Sequence, residues 1–177
     1  TALMYAAALG HREIVSMLVA AGASARLKDK DGQSPLVHAA NMGAVAIADE
    51  LITKANADPN DTTGTGVPLL INAIASVAVD GTRLLPGTVA GSTRLIPLLL
   101  PLQVTSGAEA LADLLIKHGA DPNAISDGVT PLLLACQAGS MKLIASLLEK
   151  GAQVHTAADS GVTPLMVLAA SGHVRGV

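Results

Sequence analysis

The stretch TPLLLACQAGSMKLIASLLEKG, residues 130–151, contains two short helices and the signals that bound them. Thr130 is a helix N-cap residue type, and Pro131 fits the first helical position because its missing N–H would be unsatisfied there anyway. Gly139 interrupts the chain before a second apolar stripe, and Gly151 is placed to close that helix in the left-handed conformation. The stretch therefore predicts a helical hairpin that is too thin to bury its own apolar stripe.

The same hairpin recurs along the chain at a fixed spacing. Its opening phrase occurs as Thr1-Ala2-Leu3, Ser34-Pro35-Leu36, Val67-Pro68-Leu69, Thr130-Pro131-Leu132 and Thr163-Pro164-Leu165. Between the middle residues the intervals are 33, 33, 63 and 33, so the third is 30 residues longer than the period. A fixed period of about 20–50 residues is typical of a stacked array, in which neighbours bury each other's apolar faces. The sequence predicts five stacked units, unit one to unit five, with an insertion in unit three.

The second helix of a unit is marked by an apolar stripe and by the residue that ends it. Apolar side chains at i, i+1, i+4 and i+5 form one helix face in three units. They are Ile14, Val15, Leu18, Val19, Ile47, Ala48, Leu51, Ile52, Leu143, Ile144, Leu147 and Leu148. Gly22, Gly119 and Gly151 are placed to end their helices in a left-handed conformation, and Asn56 takes that place in unit two.

These features together resemble ankyrin repeats. The resemblance depends on the 33-residue period, the Thr-Pro-Leu phrase, the paired small residues of the first helix, Gly-His at 10–11 and 172–173, and the Gly-Ala-Asp-Pro-Asn ending at 119–123. It implies an all-α fold, an ankyrin-repeat α-solenoid of stacked helical hairpins joined by short β-hairpin fingers. It also implies that fingers and first helices form a concave binding face, with fingers near 27–33, 60–66, 123–129 and 155–162.

The chain departs from the family pattern at the start of its first helices. The family's histidine after Thr-Pro-Leu is absent in every unit, so its hydrogen bond to the threonine is missing. In unit three Val67 also replaces the capping residue, which is expected to cost about 1 kcal/mol of stability.

The pattern divides the chain into repeats of a single domain, 1–177. The predicted repeats are 1–28 (lacking its finger), 29–60, 61–123 (with the insertion), 124–155 and 156–177 (truncated). Terminal repeats need a polar outer face for solubility, and neither end supplies one. We therefore expect a piece of a longer array, or of a larger protein that contains one.

The insertion is predicted at 76–106, 31 residues between the two helices of unit three, with Gly107 as that unit's loop glycine. A loop longer than about 12–15 residues is usually functional or disordered. One interpretation is a hydrophobic arm around residues 95–104, from Leu95 to Val104, that grips a partner or folds back on the solenoid. The alternatives are a flexible excursion or a gene-model artefact such as retained non-coding sequence.

Composition and charge limit the class of protein and the compartment to which the chain can belong. Half of the chain is apolar and its formal net charge is only −3, which excludes a disordered chain. No basic run offers a footprint for nucleic acid. A single cysteine, Cys136, cannot form an internal disulfide, which favours an intracellular, cytoplasmic setting. The most apolar segment, 95–104, is too short and proline-rich to span a bilayer, and membrane contact through it is a weak hypothesis.

A search for chemistry predicts no enzyme, no cofactor and no metal site. The segment 87–93 resembles half of a phosphate-binding loop but lacks a lysine and a preceding strand. Cys136 occupies the second small-residue slot of its helix, which favours a buried residue over a nucleophile. The histidines are expected to be structural or surface residues; they are His11, His38, His118, His155 and His173.

The predicted function is a non-catalytic scaffold that binds another protein through its finger tips and the concave face of its first helices. The alternative is a regulatory or spacer segment of a larger enzyme or channel whose activity lies outside these residues. By the family's geometry the variable contact positions are Lys30, Asp31, Gln33, Asn41, Met42, Asp127, Val129, Gln137, Ala138, Asp159, Ser160, Val162 and Ser171. Tyr5, the only aromatic residue, lies on the first helix of unit one.

Overall fold

A computed structural model describes residues 1–80, 107–156 and 161–170. The predicted arm at 95–104, part of the finger at 155–162 and the end of unit five lie outside these ranges. The helices in the described ranges are α1 Ala2–Ala8, α2 Arg12–Ala20, α3 Pro35–Asn41, α4 Val45–Ala55, α5 Leu69–Asp80, α6 Ala108–Lys117, α7 Pro131–Ala138, α8 Met141–Glu149 and α9 Pro164–Ala170.

The first helices begin at the predicted caps. The hydroxyl oxygens of Thr1, Ser34, Thr130 and Thr163 each accept the backbone N–H three residues further on, at 3.3–3.4 Å. Each bond satisfies one of the free N–H groups at a helix start, so the local sequence decides where these helices begin.

Unit three begins its first helix differently. Val67 has no side-chain acceptor, and α5 starts at Leu69, one residue later than the helices that start at proline. Pro68 instead forms an antiparallel bridge with Thr62. The missing cap therefore lets the finger of unit three extend by one residue at the expense of the helix.

The second helices end in the predicted left-handed residues. Gly22, Gly119 and Gly151 have φ values of 84°, 90° and 85°. Asn56 adopts a φ of 53° at the matching place in unit two, where its N–H donates to the Leu51 carbonyl. Asparagine tolerates this conformation better than other residues with a side chain, so the prediction from residue type is confirmed.

The hairpins stack into two layers. First helices contact one another in the order α1–α3 and α5–α7–α9, and second helices in the order α2–α4–α6–α8. Between units two and three the first helices, α3 and α5, meet at few positions. One apolar cluster runs through both layers, and the leucine of the opening phrase is buried in units one to four (Leu3, Leu36, Leu69 and Leu132).

The fingers are hairpin turns rather than paired strands. Single antiparallel bridges close two of them, Thr62 with Pro68 and Ser126 with Val129. In the part of the chain that the structure describes, no β-sheet forms around these bridges. Consecutive fingers therefore contact one another mainly through individual side chains and close backbone approaches.

The boundary of the predicted insertion falls inside a helix. α5 is 12 residues long, against 7 in α3 and 8 in α7, and it continues through position 76. Ser76 is buried, and its hydroxyl donates to the Asn72 carbonyl at 3.0 Å. The first four residues after Ser76 thus extend the first helix of unit three, and residues 81–106 lie outside the described ranges.

Gly107 is the N-cap residue of α6, with a φ of −104°, and not the predicted loop glycine. The loop glycines Gly10, Gly43 and Gly139 have φ values of 63–73° and each precede an N-cap residue. Because α6 starts 63 residues after α4, the matching loop position is 106. The prediction was wrong by one place, because a glycine is suited to either side of this turn.

Candidate functional site

A shallow cleft opens between α1 and the finger of unit two, on the side that the fingers share with the first helices (the finger face). Its volume is about 410 Å³. The residues that line it are Thr1, Met4, Tyr5, Ala8, Asp29, Lys30, Asp31 and His38. Tyr5 is 74% exposed there, so the only aromatic ring of the chain is available to a partner.

Asp29 holds the finger of unit two in shape. Its Oδ1 accepts the backbone N–H groups of Asp31 and Gln33, both at 2.9 Å, and its Oδ2 lies 2.8 Å from His38 Nε2. The Gln33 N–H above all, helped by His38 and Asp31, lowers the pKa of Asp29 against the opposing effect of partial burial. The carboxylate therefore closes the turn and ties it to α3.

Three of the predicted contact residues of unit two have exposed side chains. Lys30 and Asp31 are exposed at the finger tip, and Met42 is 52% exposed at the end of α3. Together with Tyr5 of α1, these exposed residues are called the unit-two patch here (Tyr5, Lys30, Asp31 and Met42); Tyr5, Lys30 and Asp31 line the same cleft. None of the four side chains makes a hydrogen bond or ion pair with a described residue.

Gln33 and Asn41, two further predicted contact residues, are bonded to each other. Asn41 Nδ2 donates to Gln33 Oε1 at 3.3 Å, and both side chains are half-buried. This bond is a second tie between the finger and α3. Through this bond the two residues also help to hold the finger that carries Lys30 and Asp31.

The predicted contacts of units four and five divide in the same way. Asp127 is exposed in the finger of unit four at a φ of 48°, and Gln137 and Ala138 are half-buried at the end of α7. Val129 and Val162 pack against the apolar cluster and so belong to the framework. The remaining predicted residues, Asp159, Ser160 and Ser171, lie outside the described ranges.

Unit three separates these two groups of exposed residues. Ile71 and Ile74, one period after His38 and Asn41, are only 4% and 0% exposed. Its finger tip consists of small residues, and the hydroxyls of Thr63 and Thr65 bond one another at 2.9 Å. Unit three therefore offers no large exposed side chain at these positions of the finger face, between unit two and unit four.

The fingers of units two and three are in close contact. A Cβ on Gly64 would overlap the carbonyl oxygen of Asp31, so only glycine fits at this point of approach. Lys28 Nζ donates to Asp61 Oδ1 at 2.7 Å across the same junction. Burial raises the pKa of Asp61, but hydrogen bonds from Lys28 and then Ser34 outweigh it, and the net shift is downward.

Further along the array, asparagine side chains join successive units. Asn60 Nδ2 donates to the Gly119 carbonyl at 3.2 Å, and its Oδ1 accepts the Asp121 N–H at 2.7 Å. Asn123 repeats both bonds to Gly151 and Gln153. Each amide bonds the main chain of the next unit twice, which sets the position of one finger base relative to the next.

On the side of the array formed by the second helices α2, α4, α6 and α8 (the second-helix face), buried carboxylates are bonded by several neighbouring side chains. Glu50 is 5% exposed, and its Oε1 accepts from Ser16 at 2.6 Å and from Lys54 at 2.8 Å. The hydrogen bond from Lys54 above all, followed by that from Ser16, lowers the pKa of Glu50 against the effect of burial. Arg12 adds an ion pair at 3.8 Å.

Asp113, at the place in α6 that Glu50 has in α4, is held in the same way. Lys117 and Lys142 lie 3.0 Å and 3.3 Å from its Oδ2, and Ser146 donates to Oδ1 at 3.3 Å. Burial raises the pKa of Asp113, but the hydrogen bonds from the two lysines outweigh it and lower the pKa. On this face the buried acids connect neighbouring second helices.

Sequence reasoning missed the roles of Asp29 and of the buried acids. The Asp-Lys-Asp-Gly run at 29–32 was a usable signal, because aspartate commonly bonds the backbone two residues further on in a turn. The spacing of four residues in Glu50–Lys54 and Asp113–Lys117 was another. The partners of these side chains on other units carried no such local signal.

Cys136 and His118 were among the residues that the sequence raised as candidates for chemistry. Cys136 is buried, and burial raises the pKa of its thiol to about 11, which keeps it protonated and unreactive. His118 lies 3.5 Å from Asp49 in an exposed pair between units. Among the described residues no three His, Cys, Asp or Glu side chains are grouped to hold a metal ion. None of the described helices is long and apolar enough to cross a membrane.

Comparison with known proteins agrees with this architecture. A family model described as ankyrin repeats (3 copies) matches residues 1–78 and 102–177. No curated protein matches the chain. Ankyrin repeats generally mediate protein–protein interactions and are typically non-catalytic. With the matched segments on the stacked hairpins and most of the chain covered, the chain belongs to the ankyrin repeat family.

Proposed function

We propose that this chain is a non-catalytic scaffold whose protein partner docks on the finger face, centred on the unit-two patch. The observation that carries the proposal is the contrast within one finger between a held backbone and free side chains. Asp29 fixes the turn through three contacts, while Lys30 and Asp31 at its tip are exposed and unengaged.

A fixed turn lowers the cost of binding. Ordering a flexible loop at an interface consumes binding free energy, and a turn that is already closed avoids most of that loss. The bonds from Asp29 and the bond between Asn41 and Gln33 hold this finger before any partner arrives. The free side chains can therefore contribute to affinity without reorganisation of the finger.

The exposed residues of the unit-two patch suit an interface centre. Tyrosine is among the residue types that dominate binding energy, and methionine adapts its shape to a partner's surface. Tyr5 and Met42 supply these two contributions, and Lys30 and Asp31 supply charge. Asp127, Gln137 and Ala138 offer a second, weaker area in unit four, while Gln33, Asn41, Val129 and Val162 serve as framework.

A pair of matched variants tests this proposal. Asp31→Lys combined with Met42→Glu alters the finger face, and Glu149→Lys combined with Met141→Glu makes the same changes to exposed residues of the second-helix face. Each variant and the unaltered chain are used for affinity capture with quantitative mass spectrometry, after circular dichroism has established that all three are folded.

We expect proteins captured by the unaltered chain to be retained by the second-helix variant and lost by the finger-face variant. Partners that both variants retain, or that only the second-helix variant loses, would refute docking on the finger face.

A further inference from the structure

We infer that the cleft between α1 and the unit-two finger receives a basic side chain of the partner, an arginine or lysine that lies against Tyr5 and pairs with Asp31. This inference rests on the proposed function and adds the chemistry of the partner segment. It follows from which groups around the cleft are already engaged and which are open.

Of the two carboxylates in the cleft, only one is available. Asp29 uses Oδ1 for two backbone N–H groups and Oδ2 for His38. The Asp31 side chain is exposed and makes no hydrogen bond or ion pair with any described residue. Its backbone N–H is held by Asp29, so the free carboxylate is attached to a fixed support.

The wall opposite this carboxylate is aromatic and apolar. Tyr5 lines the cleft at 74% exposure, and Met4 and Ala8 line it on the same helix. A cation over a tyrosine ring is attracted by the negative face of the ring. The long aliphatic stem of lysine or arginine also packs on apolar surface while its charged head reaches a polar group. The cleft offers both kinds of contact together.

The cleft also holds positively charged groups, Lys30 and the α-amino group of Thr1. Lys30 is exposed on a flexible stem that can turn its ammonium towards solvent, whereas the short Asp31 side chain stands on backbone that Asp29 holds. The α-amino group of Thr1 donates to the sulfur of Met4 at 3.1 Å. His38 faces Asp29. The α-amino group of Thr1 keeps its positive charge in its bond to Met4, and Asp29 is already paired with His38. Asp31 is therefore the carboxylate of the cleft that is open to a basic side chain of the partner.

Selection from a random peptide library displayed on phage provides the test. The 177-residue chain is the bait, and enriched sequences are synthesised with a fluorescent label and titrated by fluorescence polarisation. We expect the enriched peptides to share an arginine or lysine next to an apolar residue. Their affinity should fall as salt rises to about 0.15 M and beyond, because exposed ion pairs are screened.

Single substitutions then locate the contact. Asp31→Asn should weaken binding by about three- to tenfold, between the values typical of exposed and buried ion pairs. Tyr5→Leu should weaken it by about two- to fivefold while Tyr5→Phe leaves it unchanged, because the ring face and not the hydroxyl holds the cation. Lys30→Gln should bind at least as tightly as the unaltered chain.

Glu149→Gln is the matched control, because Glu149 is an exposed carboxylate on the second-helix face, outside the cleft. Its affinity should equal that of the unaltered chain. Peptides without a basic residue, or basic peptides that bind Asp31→Asn as tightly, would overturn the inference. If peptides of either kind nevertheless fail to bind the Asp31→Lys, Met42→Glu variant, the inference fails but the proposed function stands. No enrichment, or equal binding to that variant, would count against both.

Discussion

The finger face and the second-helix face of this ankyrin array differ in the burial and bonding of their acidic side chains. Glu50 and Asp113 on the second helices are buried and bonded by lysines and serines of their own and neighbouring units. Asp31 and Asp127 at the finger tips are exposed, and their carboxylates have no partner among the described residues. The difference separates charges that join the array from charges left open to another molecule.

The same contrast explains how one finger can be both rigid and available. Asp29 and Asp31 are two residues apart, and the first is fully bonded while the second is free. Removing an engaged group should therefore change stability or local order, whereas removing a free group should change only binding. The predictions below test that division, from the largest expected effect to the smallest.

The largest effect is expected where backbones touch. A Cβ at Gly107 would lie 2.8 Å from the Gly43 carbonyl oxygen and 3.0 Å from Val45 Cγ2. Gly107→Ala should therefore force α4 and α6 apart and destabilise the chain by about 2–3 kcal/mol, the upper part of the range for overpacked cores. Urea unfolding followed by circular dichroism measures this change. An unchanged midpoint would mean that these helices are not in contact at this point.

A smaller loss is expected from the buried acid of unit three. Asp113→Ala removes the acceptor for Lys117, Lys142 and Ser146. Because the lysines are largely exposed and solvent screens them, we expect a loss of about 1 kcal/mol. Urea unfolding at low and high salt checks this value, with a smaller loss at high salt. Equal stability at low salt would show that the cluster does not join the helices.

The contribution of Asp113 should also depend on pH. Its pKa is lowered in the folded chain, so the ionised form is favoured by folding. The stability difference between the unaltered chain and Asp113→Asn should be fully present above the ordinary aspartate value of 3.8 and lost as pH falls through the lower folded value. Unfolding titrations across the acid range test this. A difference that grows towards low pH would contradict the assignment.

The smallest effect on stability is expected in the unit-two patch. Asp31→Asn and Met42→Ala remove exposed side chains with no polar partner in the described ranges, so each should change stability by less than about 0.5 kcal/mol. The same urea series measures both. A loss as large as that of Asp113→Ala would mean that these residues belong to the framework, and the division between the two faces would fail.

Local sequence signals predict most of the fold. Ser34, Thr130 and Thr163 cap helices, and Asn56 and the helix-ending glycines take left-handed conformations, because each depends on residues within one turn. The period places the helices but not their exact limits. From the period, Gly107 was assigned to a position one residue too early in the turn, and the first helix of unit three was expected to end before Ser76.

The binding face could be predicted only in part. Exposure of Lys30, Asp31 and Met42 follows from their place in the repeat. The period does not show which side chains bond to one another, so the hydrogen bond between Asn41 and Gln33 was not predicted. The buried acids were missed for the same reason, since their serine and lysine partners come partly from other units and are recognisable only once the units are stacked.

The most direct test of the account is amide hydrogen exchange at the finger of unit two, in the unaltered chain and in Asp29→Ala. We predict that the Asp31 and Gln33 amides are protected in the unaltered chain and lose protection in Asp29→Ala, while α3 and α4 exchange as before. His38→Ala, which leaves both amide bonds to Asp29 in place, should keep most of the protection. Fast exchange at these amides in the unaltered chain would contradict the claim that this finger is held in shape for a partner.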